Sequence, residues 1–169
     1  MYGIQTRIMN IFILDTDIKK CAQYHSDKHV VKMILESAQM LCSVLHRNGI
    51  NTPYKPTHTK HPATLWAGDS LSNWSWLKLL ALELNREYKY RFNRQSDHRS
   101  AEVIRDLELP PIQDIGMTEF VQTMPDIYKI PGNPVLAYRQ FYVAEKAGFA
   151  KWTKRPIPEW FQTMRRTSG

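Results

Sequence analysis

His25, His29, Lys32, Glu36 and Gln39 follow one another at intervals of four, three, four and three residues. On an α-helix such intervals return to one face, so the five side chains form a polar row beside the apolar row of Val30, Ile34, Ala38, Leu41 and Leu45. Three kinds of chemistry fit it. Lys32 and Glu36, one turn apart, could be an ordinary solvated ion pair worth tenths of a kcal/mol. His25 and His29 could share a metal ion with His58 and His61 from the following loop. That loop is tethered by unconstrained chain, and Glu36 stands about 10 Å along the axis from His29, so no metal or cofactor is expected. The third chemistry is cleavage of an N-glycosidic bond, which builds positive charge on a sugar and calls for a carboxylate held over it. Glu36 is the one carboxylate of the row. Asp27, off the row, could orient His29 or complement the helix dipole.

Asp27-Lys28-His29, followed seven residues after the histidine by Glu36, on a first helix behind a short apolar run, resembles the phage-type pyrimidine-dimer DNA glycosylase/AP lyase family. In that family an acid, a glutamine and a histidine precede the catalytic glutamate at the same spacing. Asp27, His29 and Glu36 match, and Lys28 replaces the glutamine. Pro62 leading an apolar-aromatic helix to Arg91-Phe92, and the segment Phe149 to Arg155, add weaker likeness. The ending with Pro156, Pro158 and Trp160 is similar to small phage-encoded proteins labelled dimer-glycosylase-like. The resemblance is specific over about thirty residues.

It implies a small helical DNA repair enzyme, hydrolase or lyase, in which a primary amine attacks the sugar C1′, Glu36 assists, and β-elimination follows. In the family the amine is the α-amino group of a processed N-terminus. With a pKa near 8, such an amine is about a tenth neutral at pH 7, far more than an ordinary lysine. This chain begins Met1-Tyr2, eight residues ahead of Met9-Asn10. Three nucleophiles therefore stay open: the amine of Met9, a lysine such as Lys32, or water, the last without a lyase step. The candidate catalytic set is Glu36, His29, Asp27, Lys32, His25 and Met9.

Charge points to the same class of partner. Lys and Arg number 23 against 16 Asp and Glu, a net +7, and a basic balance favours polyanions. The charge is segregated: Arg86, Lys89, Arg91, Arg94 and Arg99 crowd one segment and six cations follow Glu145, while Ala101 to Asp126 holds six acids and only Arg105. Arg139, Tyr142, Lys146, Lys151, Trp152, Lys154 and Arg155 are the candidate DNA-binding residues, cations interleaved with aromatic faces. Tyr138 belongs to the same stretch. The rival for its aromatics, and for Trp66, Trp74 and Trp76, is burial in the core.

The elements that must position these residues are helical. Asn10 to Leu14 reads as an isolated strand or extended entry. Asp15-Thr16-Asp17 then caps a long helix to about Arg47, stopped by Asn48-Gly49. Pro62 opens a second stripe to about Phe92, with a possible break at Gly68-Asp69-Ser70. Ser100 to Leu107 reads as a short helix, Thr118 as the cap of a turn through Met124, and Asn133-Pro134 as the start of a helix to about Trp152. The expectation is an all-α, compact single domain over 1–169. It has about three main helices with short ones between them and at most one short N-terminal strand. Residues 1–8 form a leader extension and 153–169 an irregular tail.

At 169 residues and 43% apolar composition the chain buries a core without staples. No run approaches the ~18 apolar residues of a spanning helix, and residues 1–8 lack the apolar centre of a secretory signal. Cys21 and Cys42 have neither framework nor ligand spacing and read as core thiols of a reducing compartment. The expected protein is a cytoplasmic monomer, in host cytoplasm if phage-encoded, that engages double-stranded DNA and no membrane. Rival functions are a non-catalytic nucleic-acid-binding phage protein, an N-glycoside hydrolase of free nucleotides, and a metal-dependent nuclease.

Overall fold

A computed structural model describes residues 9–168; the expected leader, 1–8, lies outside the described residues. All regular structure described is helical, as the apolar spacings predict. The elements are α1 (Ile18–Tyr24), α2 (Asp27–Arg47), α3 (Pro62–Gly68), α4 (Leu71–Arg91), α5 (Arg99–Arg105), a 3-10 turn (Asp126–Tyr128), α6 (Pro134–Lys146) and α7 (Glu159–Ser168). Helix α2 is central, with α3, α4 and α5 packed against it, α1 against α4, and α6 against α7 and the 3-10 turn. Trp74, Leu77, Leu80 and Leu84 of α4 meet Ile34, Leu41 and Leu45 of α2 in one core, which also holds Trp66, Cys21 and Cys42. Trp76 is half-buried beside Trp66.

The single long first helix expected from the periodicity is interrupted. His25 and Ser26 are extended, with ψ of 136° and 159°. The break has a distant cause: fully buried Arg91 donates to the carbonyls of His25 (2.8 Å) and Gln23 (2.9 Å), capturing acceptors that a continuous helix would use itself. His25 therefore leaves the polar row, while His29, Lys32, Glu36 and Gln39 keep it on α2. The suspected break near Gly68 is present, with Ser70 extended and bonded to the Asp114 carboxylate and the Ile115 N–H.

Residues 9–14 form no helix and pair with no strand among the described residues; the Leu14 N–H turns back to the Phe12 carbonyl at 3.0 Å. They are wedged between α2 and α6, where Phe12 stacks on His29 at 4.4 Å and meets Tyr138 and Tyr142 edge-on. The turn expected after Thr118 does not form, because Asn73 of α4 accepts the Thr118 N–H (3.0 Å) and donates to its hydroxyl (2.7 Å), engaging both groups that would cap it. Asn133 caps α6 as expected, but the helix ends at Lys146 rather than near Trp152.

The tail expected to be irregular contains α7. Its Trp160 packs on Tyr24 and Tyr142, and buried Phe161 packs on Trp152. Pro156 and Pro158 mark the approach to this helix, since proline suits the entrance to a first turn. No helix among the described residues is long and apolar enough to cross a membrane.

Candidate functional site

Glu36 lies on the half of α2 that faces residues 9–14, with only 7% of its surface exposed. Oε1 accepts the peptide N–H of Asn10 at 3.2 Å, and Oε2 lies 3.7 Å from Lys32 Nζ. Burial pushes the Glu36 carboxyl above its ordinary value, against the opposing pull of Lys32 and the Asn10 N–H. Asn10 is itself fixed: its carboxamide oxygen accepts from the Thr123 hydroxyl (2.5 Å) and the Tyr138 hydroxyl (3.1 Å), and its amide donates to the Thr123 carbonyl (2.9 Å). The carboxylate thus rests on a hydrogen-bonded floor drawn from three distant parts of the chain.

His29, about two turns before Glu36, is sandwiched between Phe12 and the edge of Phe149. Its Nδ1 lies 2.7 Å from the Tyr142 hydroxyl, which also accepts the Ser26 N–H at 2.9 Å. Burial, seconded by His25 and by Lys146, Lys32 and Lys28, pulls the His29 imidazole down to about 2, so it is neutral at physiological pH. Lys28 Nζ sits 4.9 Å over the Phe149 ring and Lys146 Nζ 5.0 Å over Phe141. Lys32 is exposed, and Lys146, half-buried at the end of α6, lies within electrostatic range of both Lys32 and Glu36. Burial, with Lys32 adding to it, lowers the Lys146 ammonium below its ordinary value. One sunken carboxylate, one neutral imidazole and three lysines therefore share this face, an arrangement that stabilises positive charge within and anions at the rim.

Other expected site residues go elsewhere. Asp27 does not orient His29; its carboxylate accepts from Arg91 Nη1 (3.1 Å), the Thr153 N–H (2.9 Å) and the Thr153 hydroxyl (2.5 Å). His25 is fully buried, its Nδ1 on the Cys21 carbonyl at 2.7 Å, and burial pulls it down to about 4. The Met9 side chain is in the core. Tyr142 is buried beside His29, and Trp152 is buried with its indole N–H on the Tyr24 carbonyl at 2.9 Å, so neither offers a ring face to a ligand. Arg139 bonds the Leu14 carbonyl and Asp15 beneath Tyr24 and Trp160. Arg155 grips Glu87, and Lys154 donates to the Tyr90 carbonyl (3.0 Å) and to Asn93 Oδ1. Lys151 remains exposed, next to the start of α2 through its carbonyl on the Asp27 N–H at 2.7 Å.

The basic segment 86–99 is likewise not one positive face. Arg91 is inside, Lys89 pairs with Asp97 and Arg86 with Glu83. His61 Nδ1 accepts the Ala63 N–H as a helix cap, and among the described residues no three His, Cys, Asp or Glu side chains converge as a metal site.

Asn10, Phe12, Thr123, Tyr138 and Phe149 build the site without having been singled out as parts of it. Only an aromatic excess in 138–152 hinted at two of them. Open cavities of about 310 and 400 Å³ lie near the C-terminal half of α2, and neither is lined by Glu36 or His29. No family model, no curated protein and no solved structure matches this chain.

Proposed function

We propose that the protein is a DNA N-glycosylase acting on a damaged or modified pyrimidine in double-stranded DNA, with or without strand cleavage. The observation that carries this reading is the sunken Glu36 carboxylate, paired with Lys32 and within the electrostatic field of Lys146. As the base departs, positive charge on the sugar is stabilised by an acid in a low-dielectric setting, where the interaction is far stronger than in water. The lysines of the rim bind the flanking phosphates, joined by Lys151. His29, neutral and stacked on Phe12, shapes the wall. The target nucleotide leaves the base stack to reach Glu36, and displacement of the Lys32 side chain opens the way.

The test is base release from a panel of lesion-bearing and hypermodified duplexes. Glu36→Gln is expected to lower release at least about a hundredfold while duplex binding persists. Release undiminished in that variant would remove Glu36 from the chemistry, and binding without release by either protein would leave a nucleic-acid-binding protein.

A second reading is hydrolysis of free nucleotides. What favours it is the internal engagement of Trp152, Lys154 and Arg155, which takes much of the expected DNA-binding tail out of service. Base release from mononucleotides at rates equal to or above those from duplexes distinguishes it.

A further inference from the structure

The larger of the two cavities beside the C-terminal half of α2, of about 400 Å³, takes no part in the chemistry at Glu36 and has a lining of mixed character. We infer that it binds a small zwitterion, a free α-amino acid with an apolar side chain. The inference goes beyond the glycosylase reading and stands without it. Val44, on the cavity wall, follows Glu36 by eight residues of the same helix, about 12 Å along its axis.

Thr64 supplies the first reason. It sits in the first turn of α3, lines this cavity and is only 3% exposed, yet its hydroxyl has no hydrogen-bond partner. A helical threonine can satisfy its hydroxyl on a carbonyl three or four residues back, and Thr64 does not. A buried polar atom left unpaired is costly and calls for a cause. Ser43, on the same wall, gives the contrast: its hydroxyl donates to the Thr57 carbonyl (2.8 Å) and accepts the Thr57 N–H (3.0 Å). Thr64 keeps a donor and an acceptor to offer a ligand.

Charge supplies the second. Arg47 ends α2 and Asp69 is the C-cap of α3, and both line the cavity. Neither side chain has an ion pair or hydrogen bond among the described residues, with the other or with any third group. Two opposite charges that share a cavity without pairing are complementary to a ligand that carries both signs. The guanidinium takes a carboxylate by two parallel hydrogen bonds, the Asp69 carboxylate takes an ammonium, and the Thr64 hydroxyl donates to the carboxylate's remaining lone pairs. Val44, Leu65 and Ile112 form the apolar wall against which the ligand's side chain packs. A cavity of this size, mostly preformed and with a few convergent polar groups, suits a small molecule. A nucleotide phosphate would suit Arg47 but would meet Asp69 as a like charge, which sets this ligand apart from the substrate proposed at Glu36.

The whole chain is titrated calorimetrically with leucine, methionine and phenylalanine, and with leucinamide and N-acetylleucine, which lack the anionic and the cationic end in turn. Saturable one-to-one binding of at least one free amino acid is expected. It should weaken at least about tenfold for the two derivatives, and in Arg47→Gln and Asp69→Asn, as loss of a charged hydrogen bond requires. Thr64→Val should weaken binding without lowering the melting temperature of the ligand-free chain, because the hydroxyl it removes has no internal partner. Gly68→Leu is the steric control. Gly68 lines the cavity and a Cβ there meets Val44 at 3.5 Å, an ordinary contact, so the added side chain fills the space and blocks binding while circular dichroism reports an intact fold. Absence of binding by all three amino acids overturns the inference. So does equal binding of the two derivatives, binding undiminished in Arg47→Gln and Asp69→Asn, or tighter binding of a mononucleotide that Arg47→Gln abolishes.

Discussion

Arg155 holds Glu87 by two hydrogen bonds, Nε to Oε1 at 3.0 Å and Nη2 to Oε2 at 2.7 Å, while Arg91 donates to the same Oε1 from the other side at 3.0 Å. Burial by itself would raise the Glu87 carboxyl, but the two arginines outweigh it and hold it below its ordinary value. The C-terminal segment is fastened to α4 by this pair, and Asp27 joins it through Arg91 and Thr153.

Arg155→Ala is therefore expected to destabilise the fold, by about 1–3 kcal/mol because Arg91 remains to satisfy part of the acid. Urea unfolding measures it. Loss of DNA affinity with unchanged stability would instead make Arg155 a phosphate contact.

The same pair sets an acid limit. Since the folded Glu87 pKa is depressed, its contribution is complete above the ordinary value of 4.5 and disappears as pH falls through the lower folded value. His25 and His29 act earlier. Their folded values, about 4 and about 2, lie below the ordinary 6.5, so below pH 6.5 the unfolded chain binds protons that the folded chain refuses. Each histidine then removes up to about 1.4 kcal/mol per pH unit. Unfolding free energy should fall between pH 7 and 5, and a flat profile there would contradict the buried neutral imidazoles.

Glu36 runs in the opposite sense. Its carboxyl is raised in the folded state, so ionisation as pH increases penalises the fold. Glu36→Gln should raise the melting temperature at pH 7 and leave it unchanged at pH 3, where the acid is protonated folded or unfolded. A site kept at a cost to stability is a mark of function rather than of packing.

Tyr142→Phe removes the hydroxyl that meets both His29 Nδ1 and the Ser26 N–H. Leaving buried polar groups unpaired costs about 1–3 kcal/mol, measurable by chemical denaturation, whereas an exposed DNA-stacking tyrosine would tolerate the change.

Salt dependence separates the two sets of cations. Lys28→Ala and Lys151→Ala should each flatten the slope of log affinity against log salt by about 0.9. Lys154→Ala should leave the slope unchanged while loosening the end of α4, because its ammonium is engaged by Tyr90 and Asn93.

What could be read from the chain alone were features set by neighbours three or four residues apart. The apolar stripes of α2 and α4 follow from helical spacing, as do the Pro62 and Asn133 starts and the shared face of His29, Lys32 and Glu36. What only the tertiary structure decided were matters of long-range partnership. Arg91, 66 positions from His25, splits the first helix, and Asn73 cancels the turn at Thr118. Lys146 comes within the electrostatic field of Glu36, while Lys154 and Arg155, with the same charge a few residues on, turn to α4. A sequence states how much charge a segment carries, but whether that charge meets solvent, a ligand or a buried acid depends on which remote backbone and side-chain groups the fold leaves in want of a partner.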